Sequence, residues 1–129
     1  MNPTDACPCG SGAAFGSCCL PLHRGETQAQ TAEALMRARY SAYAVGDLDY
    51  VWQTWHPRTR PATLTPEGGL TWTGLQILGT AAGRAQDQTG EVEFRAHYRS
   101  GGRTGVLHER SRFSVRARRW FYVDGDLFD

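Results

Sequence analysis

Four things are scarce or missing in this 129-residue sequence. It has no lysine, so all 14 of its basic residues are arginine. It has no cysteine beyond position 19. No apolar run comes near the roughly 20 residues that a membrane-spanning helix needs. Charge of one sign is also missing: the formal net charge is +1, which neither demands nor excludes an anionic partner. The absence of lysine beside abundant alanine and glycine is a coding-composition signature and carries no functional meaning. Arginine forks selected for phosphate would be clustered, whereas these run from Arg24 to Arg119. The segment Met1–Asp5 lacks the charge and the apolar stretch of a secretory signal. A cytoplasmic location is therefore expected, where cysteines bind metal more often than they form disulfides. At 40% hydrophobic residues the chain can bury a core, which excludes global disorder.

The cysteines are the most informative residues. They fall in Cys7-Pro8-Cys9-Gly10-Ser11-Gly12, five further residues, then Cys18-Cys19. A tetrahedral zinc site takes four thiolates. Two ligands one residue apart serve it only if the backbone turns sharply, and Pro8, Gly10 and Gly12 supply a turn. Ser11 is expected to cap a short helix over Ala13 to Cys19 that points the second pair back at the first. The alternatives are two disulfides or small core residues. Adjacent cysteines pair poorly with each other, and CxC…CC is not a usual iron–sulfur spacing. His23 stands close enough to replace one thiolate. Four protein ligands leave no open position, so Cys7, Cys9, Cys18 and Cys19 predict structural Zn2+ with no catalytic role.

Cys-Pro-Cys-Gly-Ser-Gly, the aromatic Phe15 and Cys-Cys together resemble the SEC-C zinc motif, which closes the bacterial translocation ATPase SecA. The resemblance implies a protein partner, a translocation chaperone or a ribosome-associated surface, reached through the knuckle. The motif usually carries lysines before its last ligand pair. Here Ala13, Ala14, Gly16 and Ser17 occupy that stretch, which weakens the carry-over.

Residues 20–30 are polar and predict a linker. Thr31 is expected to N-cap a helix carrying Leu35, Met36, Ala38, Tyr40, Ala42 and Tyr43, with Gly46 as its stop. Asp47 caps a shorter helix that ends at His56-Pro57. Residues 58–69 predict a loop. Strands follow at 70–78 with a bulge at Gly74, at 91–99, at 104–115 and at 119–123, with a hairpin turn at Ser100-Gly101-Gly102 and a final turn at Asp124-Gly125. Two helices before an antiparallel meander is an α+β order. On the third strand Leu107, Glu109, Ser111, Phe113 and Val115 share the inward face. An inward Glu109 needs a partner, for which Arg39, Arg58 and His56 are candidates. A structural bridge and a pocket acid are both open readings.

Glu33-Ala-Leu-Met-Arg-Ala-Arg-Tyr-Ser-Ala-Tyr43, Thr54-Trp-His-Pro57, Trp72…Gly74-Leu75, Val92-Glu-Phe94, Leu107-His-Glu109 and Tyr122-Val-Asp-Gly125 resemble the YchJ-like bacterial proteins. The resemblance spans essentially the whole chain. It implies a nuclear-transport-factor-2-like cone at 25–129, with helices in the concave face of a curved antiparallel sheet, behind a zinc knuckle at 1–24. In such a cone Tyr40, Trp55, His56, Arg58 and Glu109 are pocket candidates, with Trp72, Trp120 and Tyr122 as lining. Two functional classes follow: a binding or adaptor protein whose knuckle contacts a partner, and a small enzyme using His56 and Glu109 as acid and base. A nucleic-acid binder using Arg110, Arg112, Arg116, Arg118 and Arg119 is disfavoured, because Glu91 and Glu93 on the neighbouring strand offset that face. The adaptor reading takes precedence, since a closed metal knuckle builds surface and runs no chemistry.

Overall fold

The structure is a computed structural model that describes residues 1–66 and 68–128; Glu67, within the expected loop, lies outside them. Its helices are α1 (Leu20–His23), α2 (Ala32–Val45) and α3 (Leu48–Gln53), and a short 3-10 turn covers Phe15–Ser17. The strands are β1 (Leu70–Ala82), β2 (Thr89–Ser100), β3 (Arg103–Arg116) and β4 (Arg119–Phe128). They form one antiparallel meander in the order β1-β2-β3-β4.

The helix signals act as read. The Thr31 hydroxyl accepts from the Ala34 amide at 3.0 Å, and Gly46 takes the left-handed conformation at φ +85° that ends α2. The Asp47 carboxylate accepts from the Tyr50 amide at 3.1 Å and starts α3. α2 buries Leu35, Met36, Ala38, Tyr40 and Ala42. It packs on β1, β2 and β4 together. One helix can reach both edge strands of a four-stranded sheet only if the sheet curls around it, so the helix occupies the concave face.

Three local expectations are corrected. Residues 20–30 are not all linker: Leu20–His23 is a helical turn with Pro21 in its first turn, where the missing N–H costs nothing. β1 runs on to Ala82 through register shifts at Trp72/Gly74 and Ile77/Gly79, so the bulge at Gly74 is present and a second follows. Asp124-Gly125 is not a turn, because β4 continues to Phe128 in register with His108.

Two hairpins are tight. Ser100 pairs with Arg103 across Gly101-Gly102, and Arg116 pairs with Arg119 across Ala117-Arg118. All four central residues have positive φ, the geometry that matches sheet twist. Ala117 and Arg118 adopt it at a cost that glycine would avoid. At the base of the sheet, a Cβ on Gly90 would stand 2.4 Å from Gly83 Cα. That close approach lets the Gly83 carbonyl accept from the Ala32 amide at 2.9 Å, docking the start of α2. At the other edge, Thr54–His56 runs beside β4: the Tyr122 amide donates to Thr54 at 2.9 Å, and the His56 amide donates to Tyr122 at 2.7 Å.

Candidate metal centre and polar interior

The four cysteines converge. Their sulfurs all lie within 4.8 Å of one another, and Cys7, Cys9 and Cys19 are buried. The geometry is set by backbone. Cys7 donates to the Ala13 carbonyl at 2.9 Å, Gly10 donates to Cys7 at 3.2 Å, and Gly10 and Gly12 take φ of +78° and +88°. Cys9 Sγ stands 3.6 Å from Cys18 Sγ, which is 3.9 Å from Cys19 Sγ. A tetrahedron of thiolates at about 2.3 Å from one ion has edges of about 3.8 Å. The donor set and its spacing therefore fit a four-sulfur metal site, and the vicinal and CxC pairs are free thiols with no disulfide.

Ser11 does not cap a helix. Its hydroxyl accepts from the Ala13 amide at 3.2 Å and lies 3.1 Å from Cys18 Sγ, while the 3-10 turn has no side-chain cap. His23 stays out of the sulfur cluster: its Nε2 pairs with the Ala38 carbonyl at 2.8 Å, and its ring lies between Phe15 and Tyr50. The thiols are electrostatically unequal. A hydrogen bond from Cys19, aided by Ser11 and opposed by burial, brings Cys9 down to about 4. The same bond, with burial, holds the Cys19 proton well above the ordinary thiol range, and burial also raises Cys18.

Residues outside the motif complete the seat. Ser41 on α2, fully buried, sits 3.5 Å from Cys7 Sγ and donates to the Arg37 carbonyl at 3.0 Å. Arg37 Nη1 donates to the Cys9 carbonyl at 2.7 Å, and its Nε pairs with Glu33 at 3.0 Å. Neither contact is legible from the motif itself. The signal for Ser41 was a small polar residue amid the buried positions of α2. The cysteines and Phe15 belong to the same apolar cluster as Leu35, Val51, Val92 and Phe94.

The pocket candidates separate into three places. Tyr40 packs against Trp72 on β1 at 5.9 Å. Trp55 meets Tyr122 edge-on at 5.2 Å, and the Tyr122 hydroxyl donates to Glu109 Oε2 at 3.1 Å, beside Ser111 at 2.5 Å. Glu109 is thus hydrogen-bonded by Ser111 and Tyr122; of the expected partners, Arg39 is a charge neighbour of Glu109 without a hydrogen bond to it, and neither Arg58 nor His56 bonds it. Burial, then the neighbouring Glu109, raises the Tyr122 phenol above its ordinary range. His56 and Arg58 lie elsewhere. The His56 ring contacts Phe121 at 6.0 Å, and its Nδ1 accepts from the Arg58 amide at 3.1 Å. Adjacent strand residues point to opposite faces, so Phe121 takes His56 away from the face on which Tyr122 meets Glu109. Burial, Arg58 and Arg116 all lower the His56 pKa. Trp120 is buried apart from these, its indole N–H on the Gln30 carbonyl at 3.2 Å.

Arg39 is the interior residue that sequence reading undervalued. It is 4% exposed, and Nη1 donates to the Val51 carbonyl at 2.7 Å and to Thr54 Oγ1 at 2.8 Å. Its guanidinium lies 4.6 Å from the Tyr122 ring centre and 5.3 Å from that of Trp55. It thereby satisfies carbonyl and hydroxyl groups at the end of α3, where helical donors run out. Its position one turn after Leu35 was the available signal.

Of the five arginines expected to make a basic outer face, Arg110 and Arg112 are paired with acids, and Arg116, Arg118 and Arg119 form no ion pair with a described residue. Arg110 reaches Glu91 at 2.7 Å and Glu93 at 3.3 Å, His108 reaches Glu93 at 2.9 Å, and Arg112 bridges Asp124 and Asp126. No helix among the described residues is long and apolar enough to cross a membrane.

Comparison with known proteins agrees with this architecture. Residues 31–125 match the family described as YchJ, middle NTF2-like domain, and residues 4–21 match the SEC-C motif. A UPF0225 protein of Streptomyces coelicolor is 52% identical over 127 residues, covering 98% of this chain and 99% of its own length. Another from Cupriavidus pinatubonensis is 49% identical, covering 94% of this chain and 87% of its own length. The solution structure of RPA3114, a SEC-C motif containing protein from Rhodopseudomonas palustris, superposes with a TM-score of 0.84 at 35% identity, over 97% of this chain and 100% of that one. The crystal structure of a SEC-C motif containing protein from Psychrobacter arcticus gives 0.79 at 24% identity, over 98% and 85%, and so shares the fold. With a four-cysteine metal-binding arrangement on a matching domain, the chain belongs to the YchJ-like, UPF0225 proteins.

Proposed function

We propose that the protein is a zinc-containing binding or adaptor protein in which the knuckle is a closed structural centre presented to a protein or ribosomal partner. The observation that carries this reading is the set of four sulfurs within 4.8 Å of one another, three of them buried. Four thiolate donors favour zinc and leave no coordination site for substrate. When bound, the ion cross-links the two halves of the knuckle. Ser11 and Ser41 beside the sulfurs orient the thiolates, and Arg37 ties the Cys9 carbonyl to α2.

Elemental analysis of the reduced full chain is expected to give one zinc per chain; a metal-free, reduced and folded chain would sink the assignment. For the partner, a photo-crosslinking residue placed at exposed Ser17 is compared in cells with one at exposed Gln76 on β1. Discrete adducts from Ser17 alone support the adaptor reading. Adducts from Gln76 alone would place recognition on the sheet instead.

A further inference from the structure

The four sulfurs of the centre are not equally placed. Cys7, Cys9 and Cys19 are 5%, 0% and 2% exposed, and Cys18 alone is not buried. It follows exposed Ser17, and the hydroxyl of exposed Ser11 stands 3.1 Å from its Sγ. Behind it lies Cys9 Sγ, at 3.6 Å. A closed structural centre needs four sulfurs and no access to any of them. Here one ligand faces solvent, with a shielded sulfur directly behind it.

Cys18 is therefore the thiol open to a water-borne oxidant, and a thiolate is the nucleophile that such oxidants require. Three neighbours are candidates to resolve an oxidised Cys18. Cys19, at 3.9 Å, is the next residue in the chain, and adjacent cysteines pair poorly. Cys7 is turned towards Ser41 on α2, 3.5 Å away. Cys9 remains. Eight residues separate it from Cys18, and the two sulfurs reach bonding distance by closing about 1.5 Å.

We propose that Cys18 and Cys9 are a peroxide-responsive pair: hydrogen peroxide oxidises Cys18, and Cys9 then closes a Cys9–Cys18 disulfide that releases the ion and keeps the knuckle shut. The Cys18 thiolate attacks one peroxide oxygen. An S–O bond forms, the O–O bond breaks, and the departing hydroxide is protonated by solvent. The Cys9 thiolate then attacks the Cys18 sulfur. An S–S bond forms, the S–O bond breaks, and a second hydroxide leaves and is protonated. Two thiolates, one peroxide and two protons give one disulfide and two waters, and the two electrons lost by sulfur reduce the peroxide. The Ser11 hydroxyl is placed to donate to the departing oxygen. Cys7 and Cys19 are then the only thiolates left, too few for a tetrahedral site. The disulfide joins the same two halves of the knuckle as the ion does. The bonds from Arg37 to the Cys9 carbonyl and from the Cys7 amide to Ala13 use no sulfur, so the seat on α2 persists.

The inference rests on the metal reading above, and the test separates the two. The zinc-loaded, reduced full chain is treated with hydrogen peroxide, alkylated and peptide-mapped, while a chromophoric chelator reads the released ion. Alkylatable thiols are expected to fall from four to two, with Cys9 linked to Cys18 and one ion released per disulfide. Dithiothreitol is expected to restore all four. A sulfenate trap added with the peroxide is expected to label Cys18 before any other cysteine. Hydrogen exchange then compares the oxidised, ion-free chain with the reduced chain after chelation. The Cys7 and Phe15 amides, bonded to Ala13 and Asp5, are expected to be about tenfold better protected in the oxidised chain. A disulfide in another pair, sulfinic acid without a disulfide, first trapping at another cysteine, or equal protection in the two chains would each overturn the inference. A chain that takes up no zinc overturns the metal reading, and peroxide mapping of that chain still decides the Cys9–Cys18 pair.

Discussion

The cysteine knuckle and the sheet solve the same problem by opposite means. The sheet is held by continuous backbone pairing between strands of 10 to 14 residues, and its inward face supplies Val92, Phe94, Ala96 and Phe113 to the core. The knuckle has little regular structure. It has one isolated bridge, Ala6 with Ala14, and a three-residue 3-10 turn. What it has instead is four thiols at ion-binding spacing and a seat on α2. The difference teaches that the cysteine cluster is part of the core and not a pendant to it: Cys7, Cys9 and Cys19 are as buried as the sheet's own apolar residues.

The largest expected effect follows from emptying the centre. Structural zinc is worth about 10–16 kcal/mol in isolated finger peptides, and here the ligands also pack on Ser41 and Arg37. Chelation, or Cys9→Ser, is expected to unfold residues 7–19 and to loosen α2 as well. Hydrogen exchange should show lost protection along α2 while β2 and β3 keep theirs. Unchanged α2 protection would restore the picture of a detachable appendage.

Acid should act on the knuckle before the sheet. Cys9 is lowered to about 4, whereas Cys18 and Cys19 are raised. In the metal-free protein those two keep their protons at neutral pH, and the ion must displace them. Metal affinity is thus present at high pH and lost as pH falls. Each displaced proton contributes about tenfold in affinity per pH unit, so Cys18 and Cys19 alone contribute about a hundredfold, measurable by competition with a chromophoric chelator. A flat profile would mean that the thiols are already ionised.

The sheet should respond to steric change instead. A Cβ on Gly125 would clash with the Glu109 carboxylate, 2.3 Å from its Oε2. Gly125→Ala is expected to cost about 1–3 kcal/mol by overpacking. In a Glu109→Ala background most of that cost should vanish, and a urea-denaturation double-mutant cycle measures the coupling. Additive effects would show that the two positions do not meet.

The smallest effect is a gain. Ala117 and Arg118 hold positive φ at the β3–β4 turn. Asn-Gly in their place suits this turn and should stabilise the protein by about 1 kcal/mol or slightly more, read as a raised midpoint in urea.

Much of this was legible in the sequence, for reasons that are local. Thr31, Gly46 and Asp47 act through their own turns, and the spacing of Cys7, Cys9, Cys18 and Cys19 foretells the four-sulfur cluster that could hold a metal. What could not be read depends on distant partners. β4 continues past Gly125 because β3 extends opposite it as far as His108. Glu109 takes its hydrogen bonds from Tyr122 and Ser111, while Arg39, its charge neighbour, donates at the end of α3. The cone implied by the family resemblance makes His56 and Glu109 candidates for one pocket, yet strand alternation at Phe121 and Tyr122 sends them to different faces.

The seat of the knuckle also bears on synthesis. The four ligands are made first, but Ser41 comes later and Leu75, whose carbonyl lies 3.4 Å from where a Gly10 Cβ would be, later still. An ion captured by the emerging N-terminal segment meets a knuckle with nothing to rest against. An ion bound there would close a loop of only 13 residues, at a low chain-closure cost.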